Sequence, residues 1–174
     1  MAPVPSAGSD NALYLNALRK ICASLQGCHC NWVITGSLGM SLHGMAIEVG
    51  DIDIQTDRLG AFEIESCLST YVIEPVRYLV SEQIRSYLGR LAIDGIQIEI
   101  MGDISKRLDD QRWEEPIKVE EYRRWLDIDG LRVPVLSLAY EYQAYLKLGR
   151  IEKAEKLRRF LLDERVSEEV SSRP

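Results

Sequence analysis

At 174 residues the chain has room for one domain and a small helical appendage, and 46% hydrophobic with 28% charged residues supplies an ordinary core and surface. A net charge of −6 argues against broad, nonspecific nucleic-acid binding, which needs a basic surface. No apolar run approaches the roughly 18 residues of a membrane-spanning helix. The opening MAPVPSAGSD lacks a basic segment followed by an apolar one, so it does not read as a secretory signal. Its Pro, Ser and Gly content predicts a disordered tail over residues 1–9, and the whole predicts a cytoplasmic protein.

Asp10 is the expected N-cap of a first helix that places Leu18, Ile21, Cys22 and Leu25 on one face and ends at Gly27. The four cysteines, Cys22, Cys28, Cys30 and Cys67, read as free thiols. Cys28-His29-Cys30 is not read as a zinc site, because structural zinc takes four ligands and usually a Cys-x2–4-Cys spacing. NWVIT predicts a strand, and SLGMSLHGM a short helix opened by Ser37. GDIDIQT alternates strictly, with Ile52 and Ile54 pointing one way and Asp51, Asp53 and Gln55 the other.

RLGAFEIESCLSTY predicts another helix. YLGRLAID and GIQIEIMGDI form two alternating strands about Asp94-Gly95, the strongest short hairpin signal. RRWLDID and GLRVPVL repeat the pattern about Asp129-Gly130, with Pro134 expected to confine the second strand to an edge or its end. From Ser137 onward the sequence predicts two amphipathic helices broken near Gly149. The expected organisation is a core over residues 10–136, C-terminal helices packed on it over 137–166, and a frayed tail over 167–174. The fold class is α+β, a mixed sheet with flanking helices and a helical C-terminal segment.

The chemistry concentrates on one predicted sheet face. Asp51 and Asp53 share it, and the alternation of Ile96, Ile98 and Ile100 puts Glu99 on the corresponding face of the hairpin strand. If the two strands are neighbours, three carboxylates converge, with no lysine in either strand to neutralise them. Hard oxygen ligands of this kind suit magnesium bound together with substrate phosphates. Gly36-Ser37, at the start of a helix, offers backbone N–H groups and a hydroxyl to a phosphate.

Gly36-Ser37, the short helix, Asp51-Ile52-Asp53 and the later Glu99 resemble the signature of the nucleotidyltransferase superfamily, with its polymerase beta-like fold. More closely, WVITGSL, LHG and VPVLSLAYEYQAYLKLGR resemble the small prokaryotic nucleotidyltransferases related to aminoglycoside and lincosamide nucleotidyltransferases. The resemblance spans about Asp10 to Leu162. It implies two magnesium ions bound with a nucleoside triphosphate, one activating an acceptor hydroxyl and one neutralising the departing pyrophosphate. It makes Asp51 and Asp53 metal ligands, Glu99 a third ligand or the base, and Gly36 and Ser37 triphosphate holders. Relatives often carry an arginine and a threonine just before the first aspartate, where this chain has Ile47, Glu48, Val49 and Gly50.

Other residues attract plainer readings. His43 is expected to pack or cap rather than catalyse, and Glu48 to sit in a solvated loop. Lys147, Arg150 and Lys153 recur at spacings of three, either as a solvated helix face or as a basic wall toward the triphosphate, in which Lys147 is the nucleotide-binding member. Tyr140, Tyr142 and Tyr145 read as core. The expected partners are a nucleoside triphosphate and an acceptor the sequence does not specify, with a homodimer or partner protein as a further expectation. The alternative function is a noncatalytic, antitoxin-like partner-binding module of the same fold, which the missing basic residue before Asp51 favours.

Overall fold

The computed structural model describes residues 9–171. One compact unit ends at Leu136 and a second begins at Ser137. Of the expected N-terminal tail, residues 1–8 lie outside the described residues. Helix α1 (Ser9–Ser24) starts ahead of Asp10, which is therefore not its N-cap.

The first unit continues with β1 (Trp32–Thr35), α2 (Gly36–Leu42), β2 (Ile52–Thr56) and α3 (Arg58–Cys67). Then come a single 3₁₀ turn (Ser69–Tyr71), β3 (Val72–Val80), β4 (Ile84–Ile93), β5 (Ile96–Lys106), α4 (Val119–Tyr122), β6 (Arg123–Ile128) and β7 (Leu131–Leu136). The strands form one sheet in the order β3-β4-β5-β2-β1-β7-β6. The β1–β7 and β2–β5 pairs are parallel and the others antiparallel, so the sheet is mixed and the fold α+β.

Both Asp-Gly hairpins form where expected. Asp94 and Gly95 take φ of 52° and 81°, and Asp129 and Gly130 take 48° and 77°. Positive φ at both central residues is the two-residue turn whose twist matches its flanking strands. Three local expectations change. The helix after β2 stops at Cys67, and Val72–Val80 is an edge strand with two register irregularities against β4. Those irregularities, together with Pro75, break the period of two that would have announced a strand. Pro134 sits in an inner strand, because β7 lies between β1 and β6. It is tolerated because β7 meets β1 in register only at Ile34↔Val135, so the missing N–H falls where the ladder is short.

The core lies on one sheet face. Ile34, Ile52, Ile54, Ile98 and Ile100 are fully buried there and cluster with Ala17, Leu18 and Ile21 of α1, Leu25 just after it, Ala61 and Ile64 of α3, and Leu68 at its C-cap. Each such isoleucine contributes roughly 1.5–3 kcal/mol by leaving water. Ile54 stands in register with Ile34 on one side and Ile100 on the other, at the centre of this layer. Ile54→Ala is expected to cost about 2–5 kcal/mol, seen as a lower urea midpoint with an unchanged slope.

In the second unit the Ser137 hydroxyl accepts from the Tyr140 N–H (3.3 Å) and caps α5 (Leu138–Lys147). Gly149, at φ 67°, closes that helix, and α6 (Ile151–Ser171) follows and packs against it. The last helix continues past residue 166 to Ser171, and residues 172–174 lie outside the described residues. No helix among the described residues is long and apolar enough to cross a membrane.

Candidate active site

The register of the sheet brings two of the three predicted carboxylates side by side. Asp53 of β2 pairs with Glu99 of β5 on one side and with Thr35 of β1 on the other. Paired residues share a face, and the alternating isoleucines point to the core, so Asp53 and Glu99 stand on the opposite face, about 4.8 Å apart along the ladder. Both are half-buried, as is Asp51, which precedes the first residue of its strand. The loop leading to Asp51 is held by the Tyr14 hydroxyl, which donates to the Val49 carbonyl at 2.9 Å.

Gly36 follows Thr35 directly and opens α2. Its φ of 68° lies in the left-handed region, and a Cβ built there would collide with Oδ2 of Asp53. Glycine is required twice over, by backbone conformation and by the closeness of the carboxylate. The helix begins at Gly36 with Thr35 as its N-cap, so it opens one residue before Ser37, which is half-buried and already helical.

The ladder also reveals what sequence reading missed. Arg90 of β4 pairs with Glu99, and its Nε donates to Glu99 Oε1 at 2.9 Å. Its Nη1 donates to both carboxylate oxygens of Glu74 on β3, at 3.1 and 3.2 Å. Thus Glu74, Arg90, Glu99, Asp53 and Thr35 form one transverse row across five strands. The two carboxylates hold the guanidinium even more firmly protonated than an ordinary arginine. The expectation of no lysine in the two strands fails, because β5 runs on to Lys106, which pairs with Glu114 at 3.4 Å, and it also overlooked this cation on the adjacent strand. A signal was present, because Arg90 and Glu99 are equidistant from the Asp94-Gly95 turn and must face each other in a two-residue hairpin.

The remaining candidates fall into place individually. His43 caps the end of α2, and its Nε2 lies 2.9 Å from the Leu136 carbonyl. Burial lowers its pKa, as does the charge of Arg124, against the opposing pull of the Leu136 hydrogen bond. A neutral ring donating to that carbonyl is a packing role. Glu48 is exposed in the loop. Lys147 is exposed at the last position of α5 in the second unit, while Arg150 lies in the break and Lys153 on α6, so the three do not share one helix. Arg150 and Lys153 instead stand over the ring of Tyr145, at 5.9 and 5.5 Å. Tyr145 is buried and Tyr140 and Tyr142 half-buried.

Acidic oxygens on adjacent parallel strands, beside a glycine with no side chain, fit the donor set of a hard divalent cation. The family model for aminoglycoside-2''-adenylyltransferase matches residues 17–160. A crystal structure of a Thermotoga maritima protein assigned as a nucleotidyltransferase is 55% identical, with a TM-score of 0.76, over 86% of this chain and 93% of that one. ANT(2'')-Ia in complex with adenylyl-2''-tobramycin is 14% identical, with a TM-score of 0.54, over 88% of this chain and 92% of that one. The lincomycin-bound lincosamide adenylyltransferase LnuA is 13% identical, with a TM-score of 0.52, over 87% and 97%. No curated protein matches the chain by sequence. With its mixed sheet, its glycine-opened helix and a family match over most of its length, the chain belongs to the aminoglycoside-2''-adenylyltransferase family of nucleotidyltransferases.

Proposed function

We propose that the protein transfers a nucleoside monophosphate from a triphosphate to a hydroxylated acceptor, releasing pyrophosphate. The observation that carries this reading is the pairing of Asp53 with Glu99 next to Gly36. Asp51, Asp53 and Glu99 would hold two magnesium ions together with the triphosphate. Bound magnesium supplies charge neutralisation at the phosphates and makes an acceptor hydroxyl easier to deprotonate. The backbone N–H groups at Gly36 and Ser37, with the Ser37 hydroxyl, would donate to phosphate oxygens. Arg90 holds Glu99 through one oxygen and so fixes the orientation of that carboxylate. Its role is positional.

Family membership favours ATP as donor and a small hydroxylated molecule as acceptor, over a protein side chain or an RNA end. The net charge of −6 also disfavours RNA. The test is incubation with each of the four labelled triphosphates and magnesium, followed by pyrophosphate release over a panel of polyhydroxylated small molecules. Saturable binding of at least one triphosphate is expected, and no binding of any would sink the reading. The second reading, a noncatalytic partner-binding module, draws on the absence of a basic residue over Ile47 to Gly50. Turnover by a monodisperse sample would remove it.

A further inference from the structure

Cys28 and Cys30 lie between α1 and β1 with their sulfurs 2.9 Å apart. Sequence reading set this pair aside for want of ligands, but α3 brings another donor to it. A carboxylate oxygen of Glu63 and the two sulfurs all lie within 4.8 Å of one another. The three residues are half-buried.

The scaffold around them is fixed. The His29 N–H donates to Glu63 Oε1 at 2.8 Å, and the Thr56 hydroxyl donates to the Asn31 carbonyl at 2.6 Å. Asp57 caps α3 by accepting from the Gly60 N–H at 2.7 Å. A Cβ at Gly60 would lie 3.1 Å from that of Cys30, so helix and cysteine loop approach as closely as a glycine allows.

We propose that Cys28, Cys30 and Glu63 form a binding site for a thiophilic divalent cation, zinc, which ties the α1–β1 loop to α3. Water, or the exposed thiol of Cys67 one helical turn beyond Glu63, would complete four-coordination. Zinc–sulfur bonds of about 2.3 Å at tetrahedral angles separate two sulfurs by about 3.8 Å. Loading therefore parts the sulfurs by roughly 0.9 Å, within a modest χ1 adjustment. Each zinc displaces two thiol protons to solvent.

A thiol–disulfide switch is the competing use of such a pair. Burial raises both thiols above the ordinary range, and the neighbouring sulfur raises Cys30 further. The third donor, the Glu63 carboxylate within 4.8 Å of both sulfurs, favours a cation over a switch, because a disulfide needs no carboxylate beside it. The site is separate from the carboxylate row. It lies at the Trp32↔Thr56 end of the β1–β2 ladder, about 10 Å of strand away from Thr35↔Asp53.

The test uses the full chain, stripped with chelator and kept reduced, then titrated with zinc against a chromophoric chelator and with cobalt as a spectroscopic stand-in. One equivalent of zinc should bind, cobalt should give thiolate-to-metal charge-transfer absorption in the near ultraviolet, and zinc should raise the melting temperature. Cys28→Ser and Cys30→Ser should each lose the band and the shift, Glu63→Gln should weaken zinc binding, and Asp53→Asn should change neither. An absent band, or one that survives both serine variants, overturns the proposal. Should a serine variant fail to fold by circular dichroism, Glu63→Gln decides, and unaltered zinc affinity there overturns it. The Asp53→Asn control keeps this outcome independent of whether the nucleotidyl-transfer reading stands.

Discussion

Asp53→Asn is expected to abolish nucleotidyl transfer while leaving the protein folded. The substitution removes one negative charge and keeps the side-chain shape, at the position that touches both halves of the proposed site. Asp53 pairs with Glu99 through β5 and abuts Gly36 at the start of α2. Loss of even an outer partner of a metal ligand commonly costs about 10- to 100-fold, so loss of a ligand should cost at least about 100-fold. A binding readout separates this from general damage. A triphosphate with magnesium at about 100 times its Kd stabilises the folded state by about 2.7 kcal/mol, or roughly 5–10 °C in a domain of this size. Asp53→Asn should retain its far-ultraviolet circular dichroism and lose that shift, and Asp51→Asn should behave alike. If the ligand-induced shift persists in Asp53→Asn, the aspartates are structural and the enzymatic reading is wrong.

Gly36→Ala should produce a similar loss by a different route. Alanine at φ 68° carries a left-handed penalty of about 1–2 kcal/mol, and its Cβ cannot share space with the Asp53 carboxylate. The melting temperature should therefore fall by roughly 2–8 °C. The displaced Asp53 should also lose its hold on metal and nucleotide, so activity should drop about as far as in Asp53→Asn. Gly50→Ala is the stability control, since a Cβ there meets nothing within 4 Å and its φ is not positive. A Gly36→Ala protein with wild-type turnover would show that the carboxylate beside it need not stay where the structure has it.

Legibility in the sequence followed the range of the interactions. The Asp94-Gly95 and Asp129-Gly130 hairpins and the alternation of Ile52 and Ile54 were readable because each is decided within a few residues. The placement of Glu99 required a guess that its strand neighbours β2, and the parallel β2–β5 register bears that geometry out. The third strand was hidden by Pro75 and two irregularities, and the inner position of Pro134 by pairing with a strand about a hundred residues earlier. Arg90 was recoverable from hairpin symmetry. Glu63 was not, since nothing local links it to a cysteine pair on another element.

The transverse row also dictates the order in which this site can come into being. Glu99 and Arg90 meet across a two-residue turn, and hairpins of that kind close in roughly 1–10 μs. Asp53 reaches Glu99 only when β2 docks in parallel, which means closing a loop of more than forty residues, the slower and entropically costlier event. Glu99 thus arrives with its counter-charge in place, which softens the approach of a second carboxylate. Chains that end before Glu99 lack the central member of the row, so under the proposed function nucleotide binding would require β5 to be in place beside β2.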